Sequence, residues 1–408
     1  MAPKAEAAPA VAAETRWRSA VKAPPSASRN LVILLDGTGN QLGRNLSNVL
    51  KLYRVAEKNT GQLCYYNPGV GTISRISVWS RFTQKARGVL GLMTGYGLDD
   101  NVLGAYKFLV ENWREGDRIF LFGFSRGAWT ARVLAGMIHL IGLLKPEQLN
   151  MCDSALGTYK RAASENDLPL AWHFARVIGS RQVPVHFVGV WDSVASVIVP
   201  RADRFWLPSL ETLPHTESNP SVGSFRHALA LDERRRMFRV ARWEDPQIFK
   251  PNPFDKTSHK PQDIGQVWFP GVHSDIGGGY PEEESALSKI PLVWMVEEAK
   301  AAGLKVNTSM LNHLAHGKPR KGSNHKYVAP DPAGQIHKSL SGAWWILEFI
   351  PKRSRYREWR RWSLFGLYFP RSEPRAVPSG TQLHEAVAQR EAALADYRPV
   401  NKKALRDA

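Results

Sequence analysis

Cysteine is almost missing from the chain, whose 408 residues include only Cys64 and Cys152. Two thiols cannot build a disulfide framework, and they fit a reducing compartment, with one bridge the most that export would allow. Long apolar runs are missing too. The longest, residues 133–144, is too short to span a bilayer and is broken by His139. Residues 1–30 are rich in Ala and Pro and carry Glu6 and Glu14. They lack the apolar centre of a secretory signal, which predicts a disordered leader over 1–29 and a soluble, cytoplasmic protein. No His-x-x-x-His pair and no internal repeat occurs. The first absence leaves a metal site without support, and no cofactor is expected.

Acidic residues are in short supply: 37 Asp and Glu stand against 55 Lys and Arg, a formal charge of +18. That balance favours anionic membrane surfaces or phosphate-bearing partners, although a solvated basic face is the commoner outcome.

Apolar residues make up 43% of the chain, enough for a sizeable core. Residues 31–35 form a continuous aliphatic run that empties into Asp36-Gly37-Thr38, as a strand buried on both faces would. Helical spacing follows over 45–58, a short strand at Tyr65-Tyr66, and a Gly-rich loop over 69–97. The clearest helix covers 99–113 and leads into a strand at 118–124 that ends at Ser125; a second helical pattern follows over 128–144. Further strands at 185–190 and 266–269 stop just before Asp192 and His273, and 282–302 reads as a helix. Strands alternating with helices predict a doubly wound, mostly parallel sheet with helices on both faces. Residues 200–220 and 244–263 read as excursions that form a cap-like or lid insertion of about 199–264. Between them the pattern predicts a helix over 225–236 and a strand over 238–243. Residues 307–408 form a basic, Trp-rich extension, expected to pack on a catalytic domain of 30–306.

Gly123-Phe124-Ser125-Arg126-Gly127 fits the Gly-x-Ser-x-Gly nucleophile elbow, and its place between an apolar strand and an apolar helix is the context that motif needs. A serine hydroxyl requires a base, and the base an acid to hold its tautomer. In α/β-hydrolases these arrive in the order Ser, acid, His, which Asp192 and His273 supply. Asp275 and Asp36 are the substitute acids. Backbone N–H groups of Arg126 and of Gly37 or Thr38 are the candidate oxyanion donors.

Five blocks carry a family likeness: 35–38, 123–128, 189–193, 227–233 and 268–280. Together they resemble the α/β-hydrolase family whose members include the type VI secretion phospholipase effectors. The likeness spans roughly 30–302 and, more loosely, 383–387 and 397–399. It implies an α/β-hydrolase fold, esterase or phospholipase A chemistry without a metal, and motif positions at Ser125, Asp192 and His273. It implies an ester or phospholipid substrate, peripheral contact with an anionic membrane, no specific nucleic acid, and export, if any, through a secretion system. Extended membrane-binding modules of the kind expected in the large effectors are not read in these residues.

Two rivals remain. An aspartyl-phosphate phosphatase built on Asp36 needs a second aspartate two residues earlier, where the chain has Leu34. A repurposed, inactive hydrolase fold holding lipid or nucleic acid through the basic, Trp-rich stretch 344–371 is the alternative to an enzyme.

Overall fold

A computed structural model describes residues 28–37, 45–69, 97–194, 198–200, 208–210, 213–252, 255–340, 343–354, 358–359 and 362–405. Most of the expected leader, nearly all of the 69–97 loop, and Thr38 lie outside the described residues.

The framework runs β1 (Asn30–Leu35), α1 (Asn48–Val55), β2 (Gln62–Asn67), α2 (Leu98–Asn112), β3 (Arg118–Phe124) and α3 (Arg126–Ile141). It continues with α4 (Cys152–Ser164), α5 (Leu168–Ile178), β4 (Val185–Trp191), β5 (Val222–Ala230), β6 (Asp263–Phe269), α6 (His273–Gly277) and α7 (Ala286–Ala301). Then come α8 (Thr308–Leu314), α9 (Ala343–Glu348), β7 (Gln382–Leu383) and α10 (Glu385–Ala393). Among the described residues, three two-stranded antiparallel pairs decorate this frame.

The seven strands form one sheet in the order β7-β6-β5-β4-β3-β1-β2, and every pairing is parallel. Alternation explains why both faces are covered. Leu31, Ile33 and Leu35 of β1 join the core under α2 to α5, whereas Val32 and Leu34 join the core under α1, α7 and α8. Strands buried on both sides must be apolar throughout, which is why β1 and β3 are legible as unbroken runs. The strand order reverses between β1 and β3. Doubly wound sheets open their crevice there, beyond the carboxyl ends of the strands, and Asp36 and Ser125 stand at those two ends.

Two sequence expectations fail between 222 and 243. Residues 225–236 are not a helix; the first of them belong to β5, a central strand paired with β4 and β6. The Ala and Leu of His227-Ala228-Leu229-Ala230-Leu231 favour helix locally, but ladders on both sides outweigh that preference. Because β5 runs through it, the expected insertion of about 199–264 is two separate excursions. The expected strand at 238–243 amounts to one bridge, Val240 to Val194. Its backbone is held instead by buried Arg132 of α3, which donates to the carbonyls of Ala241 at 2.6 Å and Arg242 at 3.0 Å. The sequence pattern marks neither α4, α5 and the short α6, nor α8, α9, α10 and β7 of the tail.

Candidate active site

The elbow is built by close packing. A β-carbon on Gly123 would lie 2.3 Å from the Gly127 carbonyl oxygen, and one on Gly127 would lie 2.1 Å from that of Leu35. Neither position admits a side chain, so α3 can start directly beside the end of β1. Ser125 takes up the sharp turn with φ 57° and ψ −119°, a strained region for a residue with a side chain. Asp192, at the end of β4, also has a positive φ of 40°.

Three of the candidate residues converge. Ser125 Oγ lies 2.8 Å from His273 Nε2, and His273 Nδ1 lies 2.5 Å from Asp192 Oδ2. The neutral tautomer that fits both contacts carries its hydrogen on Nδ1 and accepts from the serine hydroxyl on Nε2. The imidazole is flanked by the rings of Phe124 and Phe238, each 4.7 Å away between centroids. Burial lowers the His273 pKa, and the Asp192 hydrogen bond and charge recover only part of that, so the ring is neutral at pH 7. Burial alone would raise the Asp192 carboxyl. The Arg375 guanidinium, with His273, more than offsets this and holds Asp192 well below the usual carboxylate range.

The remaining candidates stand apart. Asp275 is two residues beyond His273 but binds His337, with Oδ1 2.6 Å from Nδ1, and accepts the Val272 N–H at 3.0 Å. Its carboxyl therefore fixes the turn and the tail rather than the His273 ring. Asp36 accepts from the Tyr66 hydroxyl at 2.8 Å and from the Ser47 hydroxyl. Its Oδ1 also accepts the Gly37 N–H at 2.7 Å, so that candidate oxyanion donor is engaged by the carboxylate in this structure. Arg126 begins α3 immediately after Ser125. Among the described residues no three His, Cys, Asp or Glu side chains form a metal-binding group.

Sequence reasoning missed two supports. Glu233, fully buried, accepts the His273 N–H at 3.1 Å and is itself gripped by Arg235. Burial would raise its carboxyl, but Arg235 brings it down to about 2. Glu233 lies inside the 227–233 block, yet no spacing marks it. Arg375 comes from the tail, where a single arginine among many basic residues carries no signal. A cavity of about 720 Å³ lies nearby, lined by Asp232, Val272, His337, Arg390 and Tyr397, but by neither Ser125 nor His273.

Residues 29–298 match the family model described as T6SS, Phospholipase effector Tle1-like, catalytic domain. The chain belongs to this family. Over 229 residues it is 36% identical to Uncharacterized protein YEL023C of Saccharomyces cerevisiae, covering 52% of this chain and 32% of that protein. The chain thus spans about a third of the length of that curated relative. Two solved structures are more distant. An uncharacterized protein from Pseudomonas aeruginosa matches with 20% identity and a TM-score of 0.37, over 69% of this chain and 46% of that one. The Tle1 effector bound to the VgrG spike from the Type 6 secretion system matches with 18% identity and a TM-score of 0.35, over 69% and 57%. The Tle1-like match stops within α7, so Arg375 and His337 lie beyond it.

Proposed function

We propose that this Tle1-like domain is a serine hydrolase that cleaves carboxylic esters of lipids or phospholipids through an acyl-enzyme on Ser125. The observation that carries the reading is the chain of contacts from Ser125 Oγ to His273 Nε2 and from His273 Nδ1 to Asp192, at 2.8 and 2.5 Å. In this scheme His273 takes the hydroxyl proton as Oγ attacks the ester carbonyl. The tetrahedral oxyanion rests on the Arg126 N–H and on the positive end of α3. His273 then returns the proton to the leaving alcohol, and water hydrolyses the acyl-enzyme by the same route in reverse. Asp192 stays ionised and stabilises the imidazolium.

A fluorophosphonate probe tests the reading directly. Labelling is expected at Ser125 in the intact protein and should disappear in His273→Ala, as judged by peptide mass spectrometry. A folded protein that does not react favours the repurposed, lipid- or nucleic-acid-holding alternative.

The tail supports a lipid interface as the place of action. Trp362 is 77% exposed and Phe365 94%, beside exposed Leu364, Leu367 and Phe369. Exposed Arg371 stands 6.0 Å from the rings of both Phe349 and Phe369, while the neighbouring acids Glu348 and Glu373 are buried. An apolar surface with an exposed arginine beside it and the neighbouring acids buried suits an anionic bilayer. Among the described residues no helix is long and apolar enough to cross a membrane. Replacing Trp362 and Phe365 together with serine should weaken sedimentation with phosphatidylglycerol vesicles by at least about tenfold. Hydrolysis of a soluble short-chain ester should be unaffected. Unchanged vesicle binding would remove this surface from the scheme.

A further inference from the structure

Arg375 is buried on a segment that the Tle1-like match does not reach. Its guanidinium meets the Asp192 carboxylate fork to fork, with Nη1 2.6 Å from Oδ1 and Nη2 2.9 Å from Oδ2. Its other contacts run to the Ala230 carbonyl, 2.9 Å from Nη1, and to the Phe238 carbonyl, 2.5 Å from Nη2 and 3.1 Å from Nε. One side chain therefore ties together the end of β4, the end of β5 and the loop that carries Phe238 against His273. The carboxylate is fully engaged in return. Oδ1 accepts from Arg375 and from the Ala230 N–H at 3.0 Å, and Oδ2 accepts from Arg375 and faces His273. A carboxylate has about four acceptor directions, and all are used.

We propose that Arg375 is a positioning residue for the reaction, fixing the plane of the Asp192 carboxylate against His273 and setting how readily that pair takes up a proton. The proposal rests on the hydrolase reading given above. Two physical effects separate it from a merely structural role. The first is geometric: a planar fork fixes carboxylate orientation in a way a single-point cation cannot. The second is electrostatic.

The charged and titratable groups facing the pair are Arg375 from the tail, His227 from β5, and Glu233 and Arg235 from the loop after β5. Deleting the Arg375 charge leaves two carboxylates against one guanidinium. The Asp192 and His273 pair then holds its next proton more tightly, whichever side chain carries it. In the native protein the His273 pKa lies below its ordinary 6.5, so the acid limb of kcat/KM falls below that pH. Without Arg375 the limb must move upward.

The experiment compares Arg375→Gln and Arg375→Lys in the full chain, using p-nitrophenyl butyrate across the pH range, with circular dichroism as the folding check. Arg375→Gln should lower kcat by about 10- to 100-fold with little change in KM. Its acid limb should move up by about one pH unit. Arg375→Lys keeps the charge and loses the fork, so the limb should return to its native position while kcat stays several-fold low. A folded Arg375→Gln variant with native kcat and native limb overturns the proposal. If the glutamine variant does not fold, the lysine variant decides: native kcat there overturns the proposal, and a lowered kcat on an unmoved limb supports it. Activity surviving in Ser125→Ala would instead bring down the hydrolase reading itself.

Discussion

Ser125→Ala is expected to lower kcat for a p-nitrophenyl ester by about 10⁴- to 10⁶-fold, with the thermal midpoint shifted by no more than about 4 °C. The loss is large because, in the proposed scheme, Ser125 is the group that forms the acyl-enzyme. Stability hardly changes because the substitution removes one hydroxyl from a half-buried position, together with its hydrogen bond to His273 Nε2. His273→Ala should cost nearly as much, and the double variant little more, since a nucleophile without its base is already disabled. Steady-state kinetics and a melting curve for the three variants check this. Turnover above about a hundredth of native in purified Ser125→Ala would take Ser125 out of the chemistry.

Asp192→Asn carries the second large effect, and here activity and stability should fall together. Asp192 is completely buried, and its charge is the counter-ion of buried Arg375. Asparagine removes that charge and places an amide N–H₂ among donors. If it turns toward Arg375 it meets a guanidinium, and if it turns toward His273 it favours the tautomer with hydrogen on Nε2, which cannot accept the Ser125 proton. The expected fall in kcat is about 10³- to 10⁴-fold. The uncompensated guanidinium should cost about 3–5 kcal/mol of unfolding free energy, measured by urea denaturation. Adding Arg375→Gln to Asp192→Asn should recover part of that stability, because the two residues share one interaction. A folded Asp192→Asn enzyme within about tenfold of native kcat would show that the acid lies elsewhere.

Ser125 and Asp192 were legible because each directly follows a strand buried over almost its whole length, an apolar run that stops where the chain leaves the sheet. His273 was legible from a shorter run: only residues 267–269 of β6 are buried, and the candidate base stands four residues beyond them. β5 was not legible for the opposite reason: its Ala and Leu favour helix, and only pairing with two neighbours makes it a strand. The engagement of Gly37 by Asp36, and of Asp275 by His337, depends on side-chain orientation that spacing does not encode. Arg375 is the clearest case. It lies 183 residues from Asp192, and the topology of the tail alone brings the two together.

The tail also finishes the sheet. Gln382 and Leu383 pair with Val267 and Trp268 of β6, and the His384 N–H bonds the Trp268 carbonyl at 2.8 Å. A chain shortened to the segment that matches the family model would leave that side of β6 unpaired, with its backbone donors and acceptors open to a strand from another molecule. Such a fragment is expected to stick to copies of itself before its chemistry could be assayed, because the short strand Gln382–Leu383 that covers the edge would be gone.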